Sequence, residues 1–393
     1  MRVANWQFYH VRIPLKKTIR HASHTRTSTD SLIVRCTLDT GQIGWGEGLP
    51  RSYVTGEDID AAYGMLSEFP HSSVLHDEID NENQAVRIAT QWEFPRPSNA
   101  PRACFGNSAR CAIELAFLDA IFREVGRPLS DLPAMTNSSV DQTQVKNSVR
   151  YSGAITAESP KKQFRQAIKM RLFGFHQVKV KVGVPEIDDA AALKKIRRIV
   201  GRKVDLRIDA NEAWRCDEVM RNVERLADVG ITSVEQPVPH TDVAGLSKVR
   251  PQLSVPIMLD ESLCHREDAV RAIDEGLCDL FNIRLSKCGG ILPSLELKQI
   301  ATNSGLGFQL GCQVGETGIL SAAGRHIACA IEPIRYLEGS YDRFLVKEPL
   351  TKENLTFGYG GRARAINRPG LGVTVDEAAL ERVTIRQCAH QVR

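Results

Sequence analysis

Ten cysteines are scattered from Cys36 to Cys388 without one CxxC pair, and the closest two, Cys104 and Cys111, fit no common zinc spacing. There is no GxSxG, no phosphate-cradling P-loop, and no GxGxxG behind an early strand. A nucleophile elbow, a nucleoside-triphosphate site and a dinucleotide site therefore lack their usual signatures. No apolar run approaches the length of a membrane span, and the N-terminal stretch MRVANWQFYHVRIPL has no signal-peptide core. A cytoplasmic protein with reduced, mostly buried thiols is expected. Neither charge sign dominates: 51 basic and 47 acidic side chains interleave to a net charge of +4. That balance carries no nucleic-acid or membrane footprint, so neither partner is expected.

What is present is an ordinary soluble composition, 42% apolar and 25% charged, on a chain of 393 residues. That length exceeds one ordinary core and implies two domains, one of barrel size at roughly 200–250 residues. Residues 1–50 alternate in the strand manner through VANWQFYHVRI, SLIVRCTLDT and IGWGEGLP, an antiparallel meander. Two polar segments, 20–30 and 49–58, read as loops. From about 61 to 125 the period becomes helical, most clearly over 108–126, where Gly126 suits the C-terminal cap. An α+β capping domain is thus expected over 1–130. From 147 onward eight short runs alternate with amphipathic stretches: VRYSGAI, HQVKVKVG, DLRIDAN, TSVEQPV, PIMLDES, LFNIRLS, GFQLGC and IRYLEG. Eight such units predict a (β/α)8 barrel over 131–345, with a doubly wound open sheet as the competing α/β arrangement. The Gly- and Pro-rich segment 346–393 is expected to pack back on the capping domain.

Asp209, Glu235 and Asp260 each close a short apolar run, DLRID, TSVE and PIMLD, and stand 26 and 25 residues apart. A strand with its returning helix takes about that many residues, which predicts one carboxylate per unit. Strand ends of a parallel barrel meet at one mouth, where three carboxylates would converge on a hard cation such as Mg²⁺. Lys179 and Lys181 lie two apart in QVKVKVG, so both ammonium groups face the same way. Crowded beside a cation, one of them is expected to lose its proton near neutral pH and serve as a base.

The set KVKVG, RIDANEAW, VEQPVP, LDESL and NIRLSKCGGI, with GWGEGLP and YVTGED before it, resembles the enolase superfamily. The paired lysines resemble its muconate-lactonizing-enzyme subgroup. The resemblance covers nearly the whole chain and implies Asp209, Glu235 and Asp260 as ligands of Mg²⁺, with Mn²⁺ as the alternative. It implies Lys181 as acid/base on one face of a small carboxylate substrate, with Lys179 tuning it. Asn211 and Glu261 would then support the ligands, as would Glu316 in CQVGETG, for which a buried structural carboxylate is the competing reading. The loops at 20–30 and 49–58, with His24, Arg26 and Tyr53, would close over the mouth and contact substrate, and a homo-oligomer is expected.

One departure matters. Where racemases and epimerases of this subgroup carry a second lysine on strand six, this chain has Arg284; Lys287 has the opposite parity. Arginine shuttles protons poorly but provides a fixed cation and a planar donor. One-base chemistry is therefore expected: Lys181 removes an α-proton, Mg²⁺ holds the enediolate, and Arg284 stabilises charge or binds an anionic group. A muconate-cycloisomerase-like isomerase or lyase comes first. Acid dehydration, N-acylamino-acid or dipeptide racemisation, and a catalytically silent metal- or ligand-binding barrel are the alternatives. No His-x-x-Asp of the mandelate-racemase kind follows strand seven. Strand eight ends YLEGSYD, with Glu338 and Ser340 where dipeptide epimerases carry Asp-x-Asp, and both are candidate specificity residues. His176, His240 and His265 have no partner at ligand spacing and are expected to be satisfied surface or edge histidines.

Overall fold

A computed structural model of the chain describes residues 1–20, 25–68, 78–94, 96–136, 145–156 and 159–392. Strands β1 (Val3–Arg20), β2 (Thr25–Leu38) and β3 (Ile43–Gly48) form the expected meander. Helices α1 (Ile59–Glu68), α2 (Glu82–Thr90) and α3 (Asn107–Glu124) follow. Helix α3 lies directly on β3 because alternate residues of IGWGEG are glycine. A Cβ at Gly46 would stand 1.9 Å from the Ala112 carbonyl oxygen, and those at Gly44 and Gly48 would meet α3 backbone at 2.1 and 2.0 Å. Gly46→Ala should therefore push strand and helix apart at a cost of roughly 3 kcal/mol, read as a lowered urea midpoint at unchanged slope.

The first barrel run splits. Residues of β4 (Ser148–Arg150) leave the barrel to pair with β13 (Arg362–Arg364), and only β5 (Gly153–Ile155) enters it. Tyr151 and Ser152 make the break: their amides donate to Gly361 and Leu337 rather than continuing one ladder. The alternation then runs α4 (Pro160–Leu172), β6 (Gln177–Lys181), α5 (Asp189–Val200), β7 (Asp205–Asp209) and α6 (Cys216–Glu224). It continues through β8 (Val234–Glu235), α7 (Leu246–Val249), β9 (Ile257–Leu259), α8 (Arg266–Asp274) and β10 (Leu280–Ile283). Helix α9 (Ile291–Asn303), β11 (Gly307–Leu310), α10 (Gly318–Ala330), β12 (Tyr336–Leu337) and α11 (Asp342–Leu345) complete it. Strands β5 to β12 form one parallel sheet in sequential order, and the Ser152 amide donating to the Leu337 carbonyl at 2.8 Å links its first and last strands. This is the (β/α)8 architecture, with the antiparallel sheet as its cap. After α12 (Glu377–Val383), β14 (Thr384–Gln391) pairs antiparallel with β1 at the edge of the cap sheet.

Buried carboxylates of the cap hold it to the barrel. Glu47 accepts from the Thr317 and Leu320 amides at the start of α10, at 2.9 and 3.0 Å. Glu114 accepts from the Leu292 amide at the start of α9, at 3.1 Å. The cap is thereby fixed over the C-terminal ends of the barrel strands.

Candidate active site

The parallel register sets Lys179 beside Arg207 and Lys181 beside Asp209, and Asp209 beside Glu235. Asp260 and Arg284 each stand one residue beyond their strands, β9 and β10. These side chains gather at one end of the barrel. Lys179 is only 6% exposed, and its Nζ lies 3.2 Å from Glu235 Oε1, 3.4 Å from Asp209 Oδ2 and 2.8 Å from Glu338 Oε1. Burial works against its ammonium, but Glu235, Glu338 and Asp209 outweigh burial and raise its pKa above the ordinary lysine value. Lys179 is thus a fixed cation under the mouth. Lys181, two residues nearer the strand end and half-buried, makes no ion pair among the described residues.

Asp260 has a cation on each oxygen. Lys287 Nζ donates to Oδ1 at 2.9 Å and to the Asp260 carbonyl at 2.7 Å, and Arg284 Nη2 sits on Oδ2. Burial opposes ionisation there, but Arg284 and Lys287 together hold the carboxyl down at about 2. Lys287 was set aside by parity in the sequence. The strand ends at Ile283 and the chain turns, so a fully buried Lys287 reaches back under Asp260. Glu235 accepts from Asn282 Nδ2 at 2.8 Å; burial pushes its pKa up to about 7, Lys179 pulls against that, and Asp209, Glu338 and Asp260 add to the rise.

Several residues the sequence did not single out hold this arrangement. Arg207, fully buried, donates to Glu338 Oε1 at 2.6 Å; with Lys179 it holds that carboxyl at about 2 against burial. Gln236 accepts from the Asp260 and Ser262 amides at 2.8 and 3.2 Å, tying the end of β8 to the end of β9. Among the described residues the non-glycine positions with positive φ are Asn211, Glu212, Gln236 and Ser340. All four lie just past strands at this mouth, where unfavourable backbone conformations collect at functional sites.

The remaining candidates are placed as follows. The Asn211 amide donates to Asp209 Oδ1 at 3.0 Å, and its side chain reaches Glu261 Oε1 at 3.4 Å. Glu261 Oε2 is buried without a partner among the described residues, and burial pushes that carboxyl well above the ordinary range. Glu316 accepts from the Gln313 amide at 2.6 Å, is pushed up to about 8 by burial, and lines a small cavity with Cys312, Glu338 and Ser340. The Ser340 hydroxyl is taken by Arg325 at 2.8 Å. Residues 25–30, expected as part of a loop, belong to β2, and from that strand Arg26 stacks over the Tyr53 ring of the second cap loop at 5.0 Å. The second loop is pinned to the mouth by Arg102, which donates to the Val54 and Glu261 carbonyls, and by Cys264, which contacts the Val54 carbonyl. His24 lies outside the described residues. His240 pairs with Glu212 at 2.7 Å and His176 meets Arg150 at 2.9 Å, as satisfied histidines; His265 differs, its backbone amide donating to Asp268 while its Nδ1 is buried without a partner among the described residues.

The donor chemistry of Asp209, Glu235 and Asp260 fits a hard divalent cation: oxygen only, anionic and desolvated. They face shared cations, Lys179 between the first two and Arg284 between the last two, at 3.5 Å from Glu235 Oε1. Among the described residues, however, no three carboxylate, imidazole or thiol groups are already gathered at ligand distance of one point. The set suits the ion in its chemistry, and Lys179 and Arg284 lie among its oxygens.

Several known proteins are similar to this chain in sequence and fold. The family described as Enolase C-terminal domain-like matches residues 162–379. A hydrophobic dipeptide epimerase of Enterococcus faecalis is 32% identical, over 82% of this chain and 86% of its own. A crystal structure of a dipeptide epimerase from the same organism, complexed with Mg and L-Leu-L-Tyr, superposes with a TM-score of 0.82 at 28% identity, over 95% of this chain and all of that one. An N-succinyl-L-Arg/Lys racemase of Bacillus cereus is 25% identical over 98% of this chain and 99% of its own. In fold, a muconate lactonizing enzyme of Pseudomonas fluorescens is also similar, with a TM-score of 0.85 at 24% identity, covering 98% and 99%. With a family match over more than half its length and that identity to the Enterococcus enzyme, the chain belongs to the enolase superfamily and is one of its enzymes.

Proposed function

We propose that the protein removes the α-proton of an amino-acid-derived carboxylate from one face, with Lys181 as the base. The observation that carries this is the contrast within the lysine pair. Lys179 is consumed by three carboxylates, whereas Lys181 stands beside Asp209 with no ion pair among the described residues. Asp209, Glu235 and Asp260 would hold Mg²⁺, which when bound supplies fixed positive charge that acidifies the α-proton of a neighbouring carboxylate. The relatives named as epimerases and racemases favour an amino-acid derivative over the cycloisomerase substrate placed first from sequence. Lys179 keeps the carboxylates in place, and Lys181 takes the proton.

Within that class the mouth favours a masked amino group. Glu338, which is outside the proposed ligand set, spends its oxygens on Lys179 and Arg207. A free ammonium would have to displace a buried cation from that carboxylate, which costs more than leaving it paired. An N-acylamino acid makes no such demand.

The test is α-proton exchange in D₂O with Mg²⁺, run on N-acylamino acids and on free dipeptides. Deuterium should enter the α-position of the N-acyl series faster than the configuration inverts, because Arg284 is a poor proton donor or acceptor for the opposite face. Inversion at the same rate as exchange would refute one-face chemistry. Preference for free dipeptides would refute the masked amino group.

A further inference from the structure

The three candidate ligand carboxylates are bridged by side-chain cations, and the bridges are unequal. Lys179 is held by three acids in the barrel interior, and Lys287 by Asp260 and two backbone carbonyls, those of Asp260 and Asn282, at 2.7 and 2.8 Å. Neither can leave without stranding buried groups. Arg284 differs. Its Nη2 rests on Asp260 Oδ2 and reaches Glu235 Oε1 at 3.5 Å, yet its Nε is buried with no partner among the described residues. A guanidinium anchored through one nitrogen, with an unused donor beside it, is not in its best-satisfied position.

We infer that Arg284 is a tethered counter-cation that competes with a divalent ion for Asp260 and must leave that carboxylate for the ion to bind there. The inference rests on the ligand assignment proposed above and adds what controls loading. Arginine keeps its proton throughout the physiological range, so the competition cannot be relieved by pH and must be relieved by movement. The natural destination is an anionic group of the substrate, which would satisfy the idle Nε together with an Nη nitrogen as a fork. Substrate and metal then help each other: an anion that draws Arg284 away frees Asp260, and by reciprocity the metal favours binding of that anion.

The experiment measures Mg²⁺ affinity by calorimetry, with the thermal shift on adding Mg²⁺ as a second readout, for the wild type, Arg284→Met and Arg284→Gln. Two variants are used so that one poorly folding protein does not decide the outcome. Removing the competitor should tighten Mg²⁺ by about tenfold or more, the scale of one displaced ion pair in a desolvated site. An unreactive N-acylamino acid lacking an α-proton should tighten Mg²⁺ in the wild type and leave the affinity of either variant nearly unchanged. Equal or weaker Mg²⁺ binding by both variants overturns the competition while the ligand assignment stands. If neither the wild type nor the variants bind Mg²⁺, the ligand assignment fails and this inference fails with it. Asp209→Asn in the Arg284→Met background should lose the tight binding if both are right.

Discussion

Replacing Lys181 by alanine should lower α-proton exchange by about 10²–10⁴-fold, the range expected for loss of a positioned base, and leave folding stability close to that of the wild type. The two halves of this expectation come from one fact. Lys181 has no ion pair among the described residues, so its removal strands no buried charge and the carboxylates around Asp209 keep their partner Lys179. A residue whose role was structural would lower the melting temperature together with the rate. Lys181→Arg should be as inactive as the alanine variant, because the guanidinium cannot give up its proton near neutral pH. Mg²⁺ binding, followed calorimetrically, should survive both changes, since Lys181 is not among the oxygen donors. Exchange at the wild-type rate in Lys181→Ala would remove the base from the assignment.

Much of the architecture was legible because it is periodic. Eight short apolar runs at even spacing, three of them ending in an acid, describe a parallel barrel with carboxylates at its mouth, and the register setting Asp209 beside Glu235 follows from the same spacing. What a period of two could not convey was depth. It says that Lys179 and Lys181 face the same way, but the first is an interior cation and the second is half-buried at the strand end. The difference arises because Glu338, more than 150 residues later, and Glu235, two strands on, converge on Lys179. Arg207 itself carried a readable signal: it shares parity with Asp209 in DLRID, so an inward guanidinium between apolar neighbours was already implied. Lys287 was hidden for a different reason. Parity holds only while a strand continues, and the turn after Arg284 sends Lys287 back beneath Asp260. The split of VRYSGAI is of the same kind, since an extended run does not reveal which of two partners each half will find.

The change expected to damage the fold most is Lys179→Met. It removes the one ammonium that contacts Asp209, Glu235 and Glu338 together and leaves Arg207 on Glu338 and Arg284, 3.5 Å from Glu235 Oε1, as the cations that remain. Methionine fills the space, so the loss is electrostatic: three desolvated acids keep their burial and lose their shared counter-charge. Breaking a buried ion pair from one side costs about 3–5 kcal/mol, and here one side serves three acids, so the urea midpoint should fall by at least that equivalent. A second substitution tests the cause. Glu338→Gln removes one of the stranded acids, and in the Lys179→Met background it should recover part of the loss, whereas in the wild-type background it leaves Lys179 with fewer acids and should destabilise. That reversal of sign requires coupling through charge, and lost packing alone cannot produce it. If Lys179→Met unfolds at the wild-type midpoint, or Glu338→Gln costs the same in both backgrounds, Lys179 is not what holds the carboxylates of the mouth together.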